Sequence, residues 1–145
     1  MKIGIANDHG GVEVKEELIK YLVILGYQIT NYGTDDEAPV DYPLYAFKLG
    51  EAIEKKEIEA GILICKSGIG MSIAANKVKG VRCAKVETKE DAIVTREHNH
   101  SNVIALSANI DIEKTKEIVR SFLETPYSNE ERHIRRVQMI DTYDN

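Results

Sequence analysis

Residues 61–77 read GILICKSGIGMSIAANK, and the division of this stretch decides the fold. Gly61–Cys65 is almost wholly apolar, the mark of a strand buried on both faces, as in a parallel sheet covered by helices on each side. Lys66-Ser67-Gly68-Ile69-Gly70 breaks the run with two glycines and suits a strand-to-helix turn. Met71–Lys77 has a short helical character, which places a helix N-terminus at about Gly70. The stretch is therefore a strand, a tight loop and a helix, with a single thiol at the lip of the loop.

The same alternation extends in both directions. Upstream, Lys2–Asn7 reads as a strand, and Val14, Leu18, Tyr21, Leu22 and Leu25 recur at helical spacing before Gly26. Tyr27–Tyr32 is a second strand, followed by a polar loop through Asp41 and a helix over Tyr42–Lys56 with Pro43 in its first turn. Downstream, Val81–Val86 is the fourth strand, and Thr88 with Asp91 forms a capping signal for a helix running to about His98. Asn102–Leu106 is the fifth strand and Ile112–Glu124 an amphipathic helix that Pro126 ends. A last helix, opened by Asn129, carries RHIRR and lies outside the alternation. Five strands alternating with helices predict an α/β, doubly wound, Rossmann-like parallel sheet in three layers, with an extra C-terminal helix. One domain over residues 1–145 is expected. Right-handed crossovers bring the carboxyl ends of all strands to one edge, where such folds bind ligands.

Bulk properties narrow the class. A net charge of −5 offers no general attraction for nucleic acid. No apolar run approaches the length of a membrane span, and MKIGIANDHGG lacks a secretory cleavage pattern. Two cysteines without a CxxC motif make neither a disulfide framework nor a zinc knuckle. The expectation is a cytoplasmic protein in a reducing compartment.

Chemistry is expected at the segments NDHGG, YGTDDE, CKSGIG and SANID on the carboxyl edge. Cys65 is either a buried small hydrophobe or a thiol activated by inward-facing amides and the helix N-terminus. Cys83, inside a strand with no glycine loop beside it, belongs with the first kind. The 66–70 loop either cradles an oxyanion with its N–H groups or merely turns the chain. It lacks GxxxxGK[ST], the first strand is not followed by GxGxxG, and the sixth residue after Cys65 is Met71 rather than the arginine of a cysteine phosphatase. Phosphorus chemistry at the thiol is thus disfavoured, and proton transfer remains open. Asp8-His9 is a turn pair or a ligand pair. His98 and His100 have the spacing of a metal pair but no third ligand, so an acid–base histidine fits better. Arg132 and Arg136 share one helix face, as solvated charge or as a phosphate clamp.

Taken in order, MKIGIANDHGG, YGT…VDYP, ICxSGIGMSIAANKVKGVR, REHN-x-x-NV and RH-x-x-RV closely resemble the B-type ribose-5-phosphate isomerase family, which includes allose- and galactose-6-phosphate isomerases. The resemblance runs from Met1 to about Ile140. It implies interconversion of ribose 5-phosphate and ribulose 5-phosphate, or of a six-carbon analogue, without metal or organic cofactor. A sugar-phosphate sensor on the same fold is the non-catalytic alternative. By the resemblance Cys65 is the base, Ser67 a proton shuttle, and the backbone of Ser67, Gly68, Ile69 and Gly70 the enediolate cradle. His98 opens the sugar ring; Asp8, Tyr42 and Asn99 contact hydroxyls or the ring; His9, Arg132 and Arg136 hold the phosphate. The resemblance also implies a homodimer or homotetramer whose sites are shared between subunits. Three positions depart from the family pattern: Lys66 replaces a glycine, Asn109 stands where an arginine often reaches the phosphate, and NEERH replaces GGRH.

Overall fold

The computed structural model describes residues 1–143; the last two residues of the expected domain, 144 and 145, lie outside the described residues. Five strands form one sheet: β1 (Lys2–Asn7), β2 (Gln28–Asn31), β3 (Ala60–Cys65), β4 (Cys83–Lys85) and β5 (Val103–Ser107). Their order is β2-β1-β3-β5-β4, and every adjacent pair is parallel. The helices are α1 (Val12–Ile24), α2 (Tyr42–Glu54), α3 (Ile69–Ala75), α4 (Lys89–Asn99), α5 (Ile112–Glu124) and α6 (Glu131–Asp141), with a 3₁₀ turn at His9–Gly11.

Side-chain alternation along β3 explains the three layers. Ile62 and Ile64 join Leu18, Leu22, Ile118 and Phe122 in a cluster beneath α1 and α5. Leu63 and Cys65 face the other way, toward Leu49 of α2 and Met71 and Ala75 of α3. Each fully buried Ile or Leu contributes about 1.5–3 kcal/mol, so β3, buried along its whole length, is the hydrophobic spine. Gly61 lets α2 approach, since a Cβ there would stand 2.4 Å from Leu49 Cδ2.

Element ends differ from the sequence reading for local reasons. Helix α2 stops at Glu54, two residues short of Lys56, because Lys56 takes φ +60° and turns the chain into the left-handed region. Strand β4 spans three residues rather than Val81–Val86: the N–H groups of Arg82 and Cys83 are taken by the side chains of Asn102 (2.8 Å) and Asn76 (2.7 Å). Helix α3 begins at Ile69, a little earlier than expected, after Gly68 at φ +80°. Helix α6 begins at Glu131, with Glu130 at the N-cap position and no side-chain cap bond; Asn129, expected to open it, sits at φ +59° outside it. The capping box of Thr88 and Asp91 forms as expected. Helix α6 packs on α4 and ties to β4's lead-in through Arg82 and Asp141 (2.8 Å).

Candidate active site

The chain leaves β1 toward β2 on one side and reaches β3 on the other. The loops after β1 and β3 therefore flank the topological switch point, where this class of sheet binds ligands. Asp8 follows β1 directly. Its N–H bonds the Ile64 carbonyl (3.1 Å), and its carboxylate caps the 3₁₀ turn by accepting from Gly10 N (2.9 Å). A Cβ on Gly10 would come within 3.9 Å of Lys66 N, so the two loops run side by side.

Cys65 ends β3 and is 5 % exposed. The bland alternative, a thiol packed only in apolar surroundings, does not describe it: Cys65 Sγ accepts a hydrogen bond from the Gly68 N–H at 3.0 Å. Gly68 is required there: its φ is +80°, and a Cβ would meet the Leu106 backbone at 3.0 Å. Ser67 is exposed, and its Oγ accepts from Ile69 N (3.2 Å). The Tyr42 ring lies across the loop, where a Cβ on Gly70 would be 2.8 Å from its hydroxyl oxygen. From the β5 side, Ser107 Oγ donates to the Lys66 carbonyl (2.6 Å) and Asn109 Nδ2 reaches the same oxygen (3.4 Å). Asn109 thus braces the loop. The Lys66 side chain is exposed. Cys83 lies within β4, and burial pushes its thiol up to about 12.

His9 is turned by the loop between β2 and α2. Val40 N donates to its Nδ1 at 3.2 Å, so the neutral ring carries its proton on Nε2 and can donate from there.

The remaining candidates lie elsewhere. Cys65 pairs with Ser107 at the carboxyl ends of β3 and β5, whereas Gly61 pairs with Val103 at their amino ends. Helix α4 leaves the carboxyl edge after β4 and delivers His98 and Asn99 back to the amino edge, just before β5. Its length carries His98 about 15 Å from the carboxyl edge. Arg132 and Arg136 are exposed on α6, which packs on α4, and Arg132 pairs with Glu130 (3.0 Å). One chain therefore holds two groups: Asp8, His9, Tyr42, Cys65, the 67–70 loop and Asn109 at one edge, and His98, Asn99, Arg132 and Arg136 at the other.

The sequence reading missed His133. This ring is buried and meets the His98 ring at a tilt of 31° with centroids 4.3 Å apart, while its Nδ1 meets Ser128 Oγ at 2.8 Å. Burial, then neighbouring His98 and Arg132, lower its pKa. His100 does not share a site with His98; it stacks on Tyr127 at 4.4 Å. Among the described residues no group of three or more His, Cys, Asp or Glu could hold a metal ion. A groove of about 930 Å³ lies beside Asn99 rather than Cys65, bordered by Arg82, Cys83, Lys79 and Met139.

A parallel α/β sheet with a thiol and an amide loop at its switch point is the setting in which α/β proteins of this class bind small molecules. The chain belongs to the ribose/galactose isomerase family, whose model matches residues 3–140. It is 37% identical over 140 residues to ribose-5-phosphate isomerase B of Escherichia coli K12, covering 96% of this chain and 93% of that protein. The ribose-5-phosphate isomerase B structure from Clostridium thermocellum is 39% identical, with a TM-score of 0.94 and coverage of 97% and 95%. The Mycoplasma genitalium structure, which has ribulose 5-phosphate bound, is 34% identical with a TM-score of 0.92 and coverage of 98% and 95%.

Proposed function

We propose that the chain interconverts ribose 5-phosphate and ribulose 5-phosphate through an enediolate, in sites completed by a second copy of itself. The observation that carries this reading is Cys65 Sγ held at 3.0 Å from the Gly68 amide, at the edge shared with Asp8, His9 and Tyr42. It gains support from family membership and from the relative whose structure holds the product.

A C–H beside a carbonyl is a weak acid, so the barrier lies in the developing oxyanion. Cys65, as thiolate, removes the proton from C2 of the open-chain aldose; the electron pair forms the C1–C2 double bond, and the carbonyl oxygen takes the negative charge. Backbone N–H groups of the 67–70 loop stabilise that oxygen, at roughly 3–4 kcal/mol for a strong preorganised donor. Ser67 carries a proton between O1 and O2, and Cys65 returns its proton to C1. Electrons are only redistributed within the sugar, so the reaction needs no oxidant or reductant. The Nε2–H of His9 donates to the phosphate, whose binding energy orients the reacting carbons.

His98 opens the furanose, and Arg132 with Arg136 closes on the phosphate, from the partner subunit. The separation of the two groups within one chain supports a site completed by a second chain. Exposed apolar side chains suit the contact: Ile69 (52 %) and Ile73 (64 %) share a face of α3 beside the loop, Val94 is exposed on α4, and the exposed Met139 and Ile140 line the groove beside Asn99.

The test is turnover of ribose 5-phosphate by the purified chain in the presence of a chelator, with a panel of six-carbon phosphates beside it. Ketose formation is expected, fastest on the five-carbon substrate. Binding without turnover would make the chain a sensor, and faster turnover of allose 6-phosphate would reassign its substrate.

A further inference from the structure

Lys15 has no place in the chemistry above, yet its side chain is completely buried. It lies on the inward face of α1 with Val12, Leu18 and Leu22. Its Nζ donates to the Thr34 carbonyl at 2.6 Å and pairs with the Asp35 carboxylate at the surface. That carboxyl is held below its ordinary range, chiefly by the bond from Lys15 and then by Asn31. The Thr34 carbonyl has a second donor: Asn7 Nδ2, at 3.0 Å, which also donates to the Asp8 carbonyl at 2.8 Å. Gly33 is pressed so closely on Asn7 that a Cβ would stand 1.9 Å from its Oδ1. One loop carbonyl thus joins a buried cation to the end of β1. Further along that loop, Thr34 Oγ1 accepts from Asp36 N (3.1 Å), and Val40 donates to His9.

We propose that Lys15 is a positioning residue for substrate binding: by anchoring the 33–41 loop on the Asn7 side-chain amide, which also holds the Asp8 carbonyl, it sets the direction of Asp8 and the tautomer of His9. The anchor acts on both groups at once, on Asp8 through Asn7 and on His9 through Val40. A charged side chain on an apolar helix face costs burial. Here it meets a carbonyl that the sheet has no strand to satisfy and a carboxylate at the rim of the site. The substrate consequence rests on the isomerase reading; the loop geometry does not.

Lys15→Met separates positioning from folding. The Thr34 carbonyl keeps its bond from Asn7, Asp35 is open to water, and a similar apolar volume replaces the ion, so thermal stability holds or rises. The substrate KM rises about tenfold while kcat changes less than about threefold, because the lost contacts hold ground and transition states alike. The ¹⁵N resonances of His9, measured without substrate, shift from one Nε2–H tautomer toward a mixture. Asp35→Asn, a surface change, produces the same shifts in smaller measure and decides the matter should Lys15→Met not fold. His9 resonances unaltered in the folded variants, with KM within about twofold of wild type, overturn the proposal. The nitrogen signal needs no turnover, so failure of the isomerase reading is recognised separately, by an inactive wild type.

Discussion

At the residue scale, Cys65 and Gly68 depend on each other. The glycine's φ of +80° aims its N–H at the sulfur. Gly68→Ala would place a methyl in the left-handed region at a cost of about 1–2 kcal/mol, besides a contact at 3.0 Å with the Leu106 backbone. We expect a lower urea midpoint together with a loss of turnover larger than the loss of fold explains. Cys65→Ala should remove isomerisation of both cyclic and open-chain substrate, by about 10²–10⁴-fold or more, with binding by calorimetry little changed. The cysteine and its loop were legible in sequence because an apolar run ending at a glycine-broken turn marks both a strand and its carboxyl end. Lys15 was not. The helical stripe read from sequence was Val14, Leu18, Tyr21, Leu22 and Leu25, which leaves Lys15 out, and a single sequence does not say which carbonyl lies opposite.

At the scale of elements, α4 is the informative one. Its start was readable from the Thr88–Asp91 capping box and its end was expected at about His98, one residue before the observed end at Asn99, where His100 turns the chain at φ +48°. What periodicity could not supply is direction: a helix that begins at the carboxyl edge of a parallel sheet must end at the amino edge. That fact removes His98 from the Cys65 edge of its own chain. Helix α6, which fits no strand–helix repeat, packs on α4, where its His133 ring meets His98 at 4.3 Å while Arg132 and Arg136 stay exposed. His98→Ala is expected to slow the cyclic sugar by about 10²-fold or more and the open-chain form far less. Equal losses on both forms would contradict the ring-opening role. Arg136→Ala should raise the KM of phosphorylated sugars roughly tenfold, leaving competition by non-phosphorylated sugars unchanged.

At the scale of the molecule, stability carries a pH signature. His133 and His100 both have lowered pKa values, burial being the first cause in each. The unfolded chain binds protons on these rings near pH 6.5 while the folded chain resists doing so. Stability is therefore expected to fall as pH drops below about 6.5. A second loss follows at lower pH: Asp35, held below 3.8, gives up its contribution as it protonates. Urea midpoints at pH 7.5 and 5.5 test the first step; a higher midpoint at 5.5 would contradict it. The five-stranded order was only partly legible, because strand–helix alternation implies parallel strands but leaves their sequence across the sheet open.

The central claim is that thiol and imidazole meet across two chains. Co-refolding Cys65→Ala with His98→Ala tests it most directly, because a mixed dimer has one site with both lesions and one with neither. Random assembly should restore about a quarter of wild-type turnover of the cyclic sugar. Mixtures as inactive as the separate variants would contradict the account.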